Sequence, residues 1–321
     1  MGKVLVCGSI ALDHLGLYAG SFAEYQEKYP ISALNFSLQL KALRTSFGGC
    51  GINIVYGLVK LGVPCIPLSA AGMNFNDHYR DHLLALGVNV DHIAVDPEYA
   101  QCATAIVLSD SLGNQITGFY PGASPSPLRK MPSDIPGISD VEIAVLAPED
   151  APIMLRQARD LSAIGIPILF DPGQGISEFT VEEVRELLML SDYVIANDHE
   201  WEILQLNGRM TANEVIATQR QVIVTRSEHG VDIYRDGHEA IHVPAAEPER
   251  IIEVTGSGDA FRAGYVAGLL QDLAPTVCAR LGAITAVYNL ESPETQHYDF
   301  TVAEFAARYE RTWGEDFPLS R

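Results

Sequence analysis

The chain has 321 residues, 47% of them hydrophobic and 19% charged, which is enough for one large α/β unit with a smaller appendage. Its net charge of −20 makes a surface that repels nucleic acid and anionic lipid. Five cysteines without a CxxC pair read as reduced thiols, and neither a signal-peptide pattern nor an 18-residue apolar run occurs, so the expectation is a cytoplasmic protein with no nucleic-acid or membrane partner.

In chain order, short apolar runs alternate with helix-length segments. Strands are expected over Val4–Ile10, Ile66–Ala70, Ile143–Ala147, Ile166–Phe170, Tyr193–Ala196 and Val222–Thr225. Helices are expected over Gly51–Leu61, Asn76–Leu86, Ile153–Ile164, Val181–Leu190, Asp259–Leu270, Pro275–Asn289 and Val302–Thr312. This rhythm predicts an α/β fold with a doubly wound, mostly parallel sheet flanked by helices. Two stretches break it. Residues 14–47 lack a clear helix and are mixed in polarity, and residues 101–120 read as a hairpin, QCATAIVL and QITGFY around the polar turn SDSLGN. Two such β-like insertions can meet as a small second sheet, a lid over the carboxyl ends of the parallel strands. The expected division is therefore a large domain of residues 1–13, 48–100 and 121–321, with a lid of residues 14–47 and 101–120.

The strongest chemical signal is Val254-Thr-Gly-Ser-Gly-Asp-Ala-Phe-Arg-Ala-Gly264. Glycines at 256 and 258 let successive N–H groups point into one space, and the helix that follows adds the positive end of its dipole. Gly256, Ser257 and Gly258 thus read as an anion hole, with Asp259 in the first helical turn, where a carboxylate is held ionised. Phosphoryl transfer needs those parts: donors for the developing charge and a carboxylate to take the proton of the attacking hydroxyl. A Gly-rich strand–helix turn with an acidic cap has the same local pattern. Other phosphate loops are excluded, because no GxxxxGK[ST] occurs and the first strand ends in CGSIALD without GxGxxG. There is no HExxH, no GxSxG and no metal-binding His/Cys cluster, and the nine histidines are scattered and mostly look like surface residues.

Thr255-Gly-Ser-Gly-Asp259 resembles the C-terminal signature of the ribokinase-like (PfkB) carbohydrate and nucleoside kinase family, with Ser257 where alanine is usual. Phe47-Gly-Gly-Cys-Gly-Ile-Asn53 with Leu61-Gly62 is similar to its N-terminal signature. Asp13, placed at the end of the first strand, matches its sugar-binding aspartate, Asn197-Asp-His-Glu200 its NxxE motif, and Val224-Thr-Arg-Ser-Glu-His-Gly230 a strand and turn that line its nucleotide site. The resemblance implies Asp259 as catalytic base and a substrate held by Asp13, Gly48, Gly49 and Asn53. It implies ATP bound by Asn197, Thr225, Arg226 and Gly230, and Mg²⁺ met by Glu200 through water. Arg262 reads equally as a phosphate ligand or a surface arginine. Taken alone, Asp13 also reads as a strand-end cap and Asn53 as a helix-start residue. Glu253 stands where the family often has aspartate, which leaves a monovalent-cation site near residues 251–258 open, and Ser227 replaces a common glycine.

Ala11 stands where sugar kinases of this type carry asparagine for the anomeric hydroxyl, and its apolar side chain favours a nucleoside. Phe119, beside Tyr120 on the lid hairpin, offers a ring to stack on a base, although a lid strand packing its own apolar face has the same pattern. The expected activity is phosphorylation of a nucleoside 5′-hydroxyl, with adenosine first among the acceptors. A ribokinase- or fructokinase-type sugar kinase is the alternative, and a non-catalytic nucleoside- or sugar-binding protein is the alternative of another class. The expected partner is a small-molecule substrate, with homodimerisation left open.

Overall fold

A computed structural model describes residues 2–28, 37–112 and 114–318. The strands are β1 (Lys3–Cys7), β2 (Ala11–Tyr18), β3 (Leu40–Gly48), β4 (Cys65–Ala71), β5 (Ile93–Val95), β6 (Ala103–Ser109), β7 (Gln115–Tyr120), β8 (Val141–Leu146), β9 (Ile168–Phe170), β10 (Tyr193–Asn197), β11 (Gln221–Thr225), β12 (Val231–Tyr234) and β13 (Ile241–Val243). The helices are α1 (Phe22–Lys28), α2 (Cys50–Lys60), α3 (Tyr79–Ala85), α4 (Ala151–Ala163), α5 (Val181–Leu190), α6 (Asp198–Gly208), α7 (Ala212–Ile216), α8 (Ser257–Leu269), α9 (Pro275–Leu290) and α10 (Val302–Trp313).

Nine strands form the main sheet in the order β13-β12-β11-β10-β9-β8-β1-β4-β5. Every pairing in it is parallel except β11–β12 and β12–β13 at one edge. A parallel sheet is covered on both faces, so its strands bury alternate residues in two separate cores. In β1, Val4 and Val6 enter the core shared with α2 and α8, while Leu5 and Cys7 enter the core shared with α4 and α5. The doubly wound expectation is met.

The second sheet has the order β3-β2-β6-β7. Its parallel β2–β6 pair joins the two insertions, and hairpin partners lie outside it. Two local expectations are corrected. The first strand ends at Cys7 rather than Ile10, and Asp13 is the third residue of β2, inside the lid sheet. Residues 14–47 do contain a helix, α1, whose sequence FAEYQEK lacks an apolar stripe. Its first N–H, that of Phe22, donates to the Asp110 carboxylate of the β6–β7 turn at 3.0 Å, so tertiary contact rather than periodicity holds it. The expected helix over 76–86 is split into a 3₁₀ turn, Met73–Asn76, and α3. Residues 29–36 and 113, within the predicted lid, lie outside the described residues.

Candidate active site

Glycine geometry brings three polar side chains together. Gly49 has φ +92°, and a side chain there would strike the backbone of Ser9, Ile10 and Ala11. A side chain on Gly48 would fall on the Asp13 carboxylate, so the bare backbone lets β3 close against Asp13. The turn starts α2 at Cys50, with Asn53 in its first turn. On the other side of the site, Gly256 at φ +80° starts α8 at Ser257 and places Asp259 in that first turn. Helices α2 and α8 pack together, and the Asn53 Nδ2 donates to Asp259 Oδ2 at 2.9 Å.

Both carboxylates are pushed up by burial. Asp259 rises to about 6, with Arg262 and the Asn53 hydrogen bond pulling the other way. Asp13 also rises to about 6, first through burial and then through the charge of Asp259. Burial thus works against the helix start at Asp259, and the carboxylate is still mostly ionised at neutral pH. The Ser257 N–H turns back onto the Val254 carbonyl at 3.3 Å, which leaves the backbone of Gly256 and Gly258 for an incoming anion.

Arg262 is a buried residue, not a surface one. Its guanidinium pairs with Asp171, donating Nη2 to Oδ1 at 2.7 Å, lies 3.7 Å from Glu200, and donates to the Gly258 carbonyl at 3.1 Å. It therefore supports the glycine loop from beneath. Asp171 follows β9 as part of an Asp-Pro pair, and its partner across 91 positions had no local signal.

At the carboxyl ends of β10 and β11, Asn197 and Thr225 are register partners, where open α/β sheets bind ligands. Asn197 and Glu200 make a reciprocal capping box: Asn197 Oδ1 accepts the Glu200 N–H and Glu200 Oε2 accepts the Asn197 N–H, both at 2.8 Å. The motif starts α6, a helix absent from the sequence reading, and buries Glu200. Arg226 donates its Nε to Asp232 at 2.6 Å and its Nη2 to the Tyr234 hydroxyl at 3.4 Å, a part-exposed pairing that the sequence alone does not announce. Gly230 has φ +90° and no room for a side chain, whereas Ser227 accepts φ +49° in place of the usual glycine. Glu253 is likewise engaged: Oε2 accepts from Arg44 at 2.7 Å and Oε1 from the Thr255 hydroxyl at 2.9 Å.

The lid register separates the two aromatic candidates. Phe119 pairs with Ala105, which pairs with Asp13, so Phe119 lies on the Asp13 face of the sheet, and Tyr120 lies on the other. Phe119 is 62% exposed. Sequence reading missed Gln296 altogether. It is buried in the loop after α9, and its Nε2 donates to Asn53 Oδ1 at 2.8 Å and to the Tyr79 hydroxyl at 2.7 Å.

The chain is similar in sequence to the nucleoside kinase of Methanocaldococcus jannaschii, 27% identical over 297 residues that cover 92% of this chain and 93% of that one. Its structure resembles that of the Burkholderia thailandensis nucleoside kinase in complex with inosine, with a TM-score of 0.88 and 31% identity, covering 98% of this chain and 99% of that one. The ligand-free form of the same kinase superposes with a TM-score of 0.77 at 31% identity, covering 96% and 100%. The model of the pfkB family carbohydrate kinases matches residues 13–300, a span that holds Asp13, Asn53, Glu200 and Asp259. On that match, and on the meeting of those motifs at one site, the chain belongs to the pfkB family of carbohydrate kinases.

Proposed function

We propose that the chain is an ATP-dependent nucleoside kinase, in which Asp259 takes the proton of the attacking 5′-hydroxyl. The observation that carries this reading is the convergence of Asp13, Asn53 and Asp259 at the foot of the lid, beside the glycine loop that opens α8. The likeness to nucleoside kinases over nearly the whole chain supports it. Asp13 and Asn53 are suited to gripping the ribose 2′- and 3′-hydroxyls through charge-assisted and neutral hydrogen bonds. With the diol held, the 5′-oxygen lies between Asp259 and the γ-phosphate. It forms the new bond to phosphorus as the bond from phosphorus to the β–γ bridging oxygen breaks, and its proton passes to the Asp259 carboxylate. The products are a nucleoside 5′-monophosphate and ADP. The backbone of Gly256 and Gly258, with the start of α8, faces the charge that builds on the transferring group.

Among the described residues no cluster of three or more His, Cys, Asp or Glu could hold a metal ion. That suits Mg²⁺, which keeps several waters and would arrive on the nucleotide to neutralise phosphate charge, met through water by the buried Glu200. Asn197 and Thr225 would face the phosphates from the strand ends. Ala11, buried and apolar beside Asp13, offers nothing to a free anomeric hydroxyl, which favours a nucleoside over a free sugar, and with the exposed Phe119 ring to stack on a base the preferred acceptors are purine nucleosides, adenosine included.

The test is an ADP-release assay with Mg-ATP against adenosine, inosine, guanosine, cytidine, 2′-deoxyadenosine, ribose and fructose. A ribonucleoside is expected to give the highest kcat/KM, with the 2′-deoxy compound far poorer and free ribose poorer still. A kcat/KM for ribose or fructose above that of every nucleoside would move the protein to the sugar kinases.

A further inference from the structure

Behind Asn53, the side chains form a hydrogen-bonded chain with a direction. Tyr79 and His82, three residues apart on α3, face the Gln296 amide together. The Tyr79 hydroxyl is 2.6 Å from the Gly48 carbonyl, the Gln296 Nε2 is 2.7 Å from that hydroxyl and 2.8 Å from Asn53 Oδ1, and the Gln296 Oε1 is 3.1 Å from His82 Nε2. Asn53, Tyr79 and Gln296 are all buried, so water cannot repair a mismatched donor or acceptor.

The direction follows from one fixed end. A backbone carbonyl only accepts, so the single Tyr79 proton goes to Gly48, and towards Gln296 the hydroxyl can only accept. Gln296 must then turn its NH₂ to Tyr79 and Asn53. Its carbonyl consequently faces His82, whose Nε2 must carry a proton. With Asn53 Oδ1 receiving a donor from Gln296, its own NH₂ is left for Asp259. An NH₂ group there matches an ionised carboxylate and not a protonated one that donates.

Resting on the nucleoside kinase reading, we infer that Gln296 is a positioning residue for the phosphoryl transfer: held by Tyr79 and His82, it locks the Asn53 amide with its NH₂ towards the catalytic carboxylate. The rings around it hold the geometry. Phe47 packs against both Tyr79 (centroids 4.6 Å apart) and His82 (4.4 Å), and the Phe47 carbonyl accepts from the Thr295 hydroxyl at 2.6 Å, next to Gln296. His82 is held neutral more readily than an exposed histidine by burial, and both its neutral Nε2–H form and its charged form donate to Gln296, so the chain works across the titration of His82.

Without Gln296 the Asn53 amide is free to turn, presenting oxygen to Asp259 and favouring its protonated form. The other groups that face Asp259 are Asp13, Cys50, Asp171, Glu200, Arg262 and Tyr298, and none is altered in the variants below. The deciding comparison is wild type against Gln296→Met, which keeps length and removes the donor. Two readouts serve: the acid limb of kcat/KM, and the Asp259 titration followed by side-chain carboxylate ¹³C shifts, assigned with Asp259→Asn and needing no turnover. Gln296→Met is expected to move both up by about 1 pH unit, about a tenfold loss on the acid limb that disappears in mild base. In an Asn53→Leu background the same substitution is expected to add no shift to the ¹³C titration. A wild type inactive on every nucleoside would sink the proposed function while the ¹³C titration still decides the role of Gln296. An unmoved Asp259 titration in Gln296→Met, or an equal shift without Asn53, would overturn it. Should Gln296→Met fail to fold, His82→Phe decides: it keeps a ring on Phe47, removes the last donor, and is expected to shift the titration in the same direction by a few tenths of a unit or more, an unmoved titration counting against the proposal.

Discussion

The amide of Asn53 donates to the carboxylate of Asp259, 206 positions away in the chain, at 2.9 Å, joining the first turns of two helices. Each of those helices starts where a glycine takes a positive φ, Gly49 before α2 and Gly256 before α8, so the contact depends on two backbone turns as much as on two side chains. In the proposed roles of the two residues, that contact couples substrate grip to the proton acceptor.

Asp259→Asn is expected to lower kcat by about 10²–10⁴-fold with nearly unchanged KM for both substrates, because the amide keeps the shape but cannot take the proton. Steady-state kinetics at saturating ATP and nucleoside check this, and near-normal turnover would reject the assignment.

The free enzyme should lose kcat/KM below about pH 6, where Asp259 protonates. Asp13 titrates in the same range and senses Asp259, so the limb should be steeper than one proton allows, and its apparent values belong to the pair. A pH–rate profile with a single-proton limb near 4 would contradict the burial-driven shift.

Asp13→Asn should stabilise the fold while impairing activity. The folded-state pKa of Asp13 is raised above its unfolded value, so the folded protein binds that proton more tightly. Stability from this group is fully present below the unfolded value of 3.8 and is lost as pH rises through about 6. At neutral pH the ionised, desolvated carboxylate is therefore a cost, and the neutral amide should raise Tm by about 2–4 °C or more. The gain should shrink towards pH 4. Thermal melts of both proteins at several pH values measure it, and a lower Tm for the variant at neutral pH would refute the sign.

Arg262→Met should be among the most destabilising single changes at the site, by about 3–5 kcal/mol, since it strands the buried Asp171 carboxylate and removes a neighbour of Glu200. Denaturant unfolding checks the magnitude. A loss within about 0.5 kcal/mol, the range of ordinary surface changes, would mean that Asp171 is neutral without its partner.

Phe119→Ala should raise the nucleoside KM about 5–150-fold, as expected for loss of roughly 1–3 kcal/mol of stacking, whereas Tyr120→Ala should leave it nearly unchanged. The two rings are adjacent in sequence but lie on opposite faces of the lid sheet. Equal effects of both substitutions would argue against a base-facing role for Phe119.

Much of this was legible without coordinates. Apolar runs with helix-length spacers encode a two-faced parallel sheet, because burial on both sides demands them, and β1 with its four buried residues shows that pattern. Gly48-Gly49 and Gly256-Ser-Gly258 encode their turns locally, because only glycine relieves the clash of a close or left-handed backbone. Those local rules placed Asn53 and Asp259 at helix starts. Partners were another matter. Arg262 read as well for a surface residue until packing set it against Asp171, Arg226 was drawn to Asp232 six residues on, and α1 exists through the Asp110 carboxylate rather than its own sequence. Gln296 carries no motif, and it meets Asn53 across 243 positions only because the loop after α9 is tied to Phe47. A residue's local pattern records the backbone and burial it needs, which sequence alone can show. Which donor meets which acceptor is decided when distant elements pack and water is excluded from between them, and only the tertiary structure holds that decision.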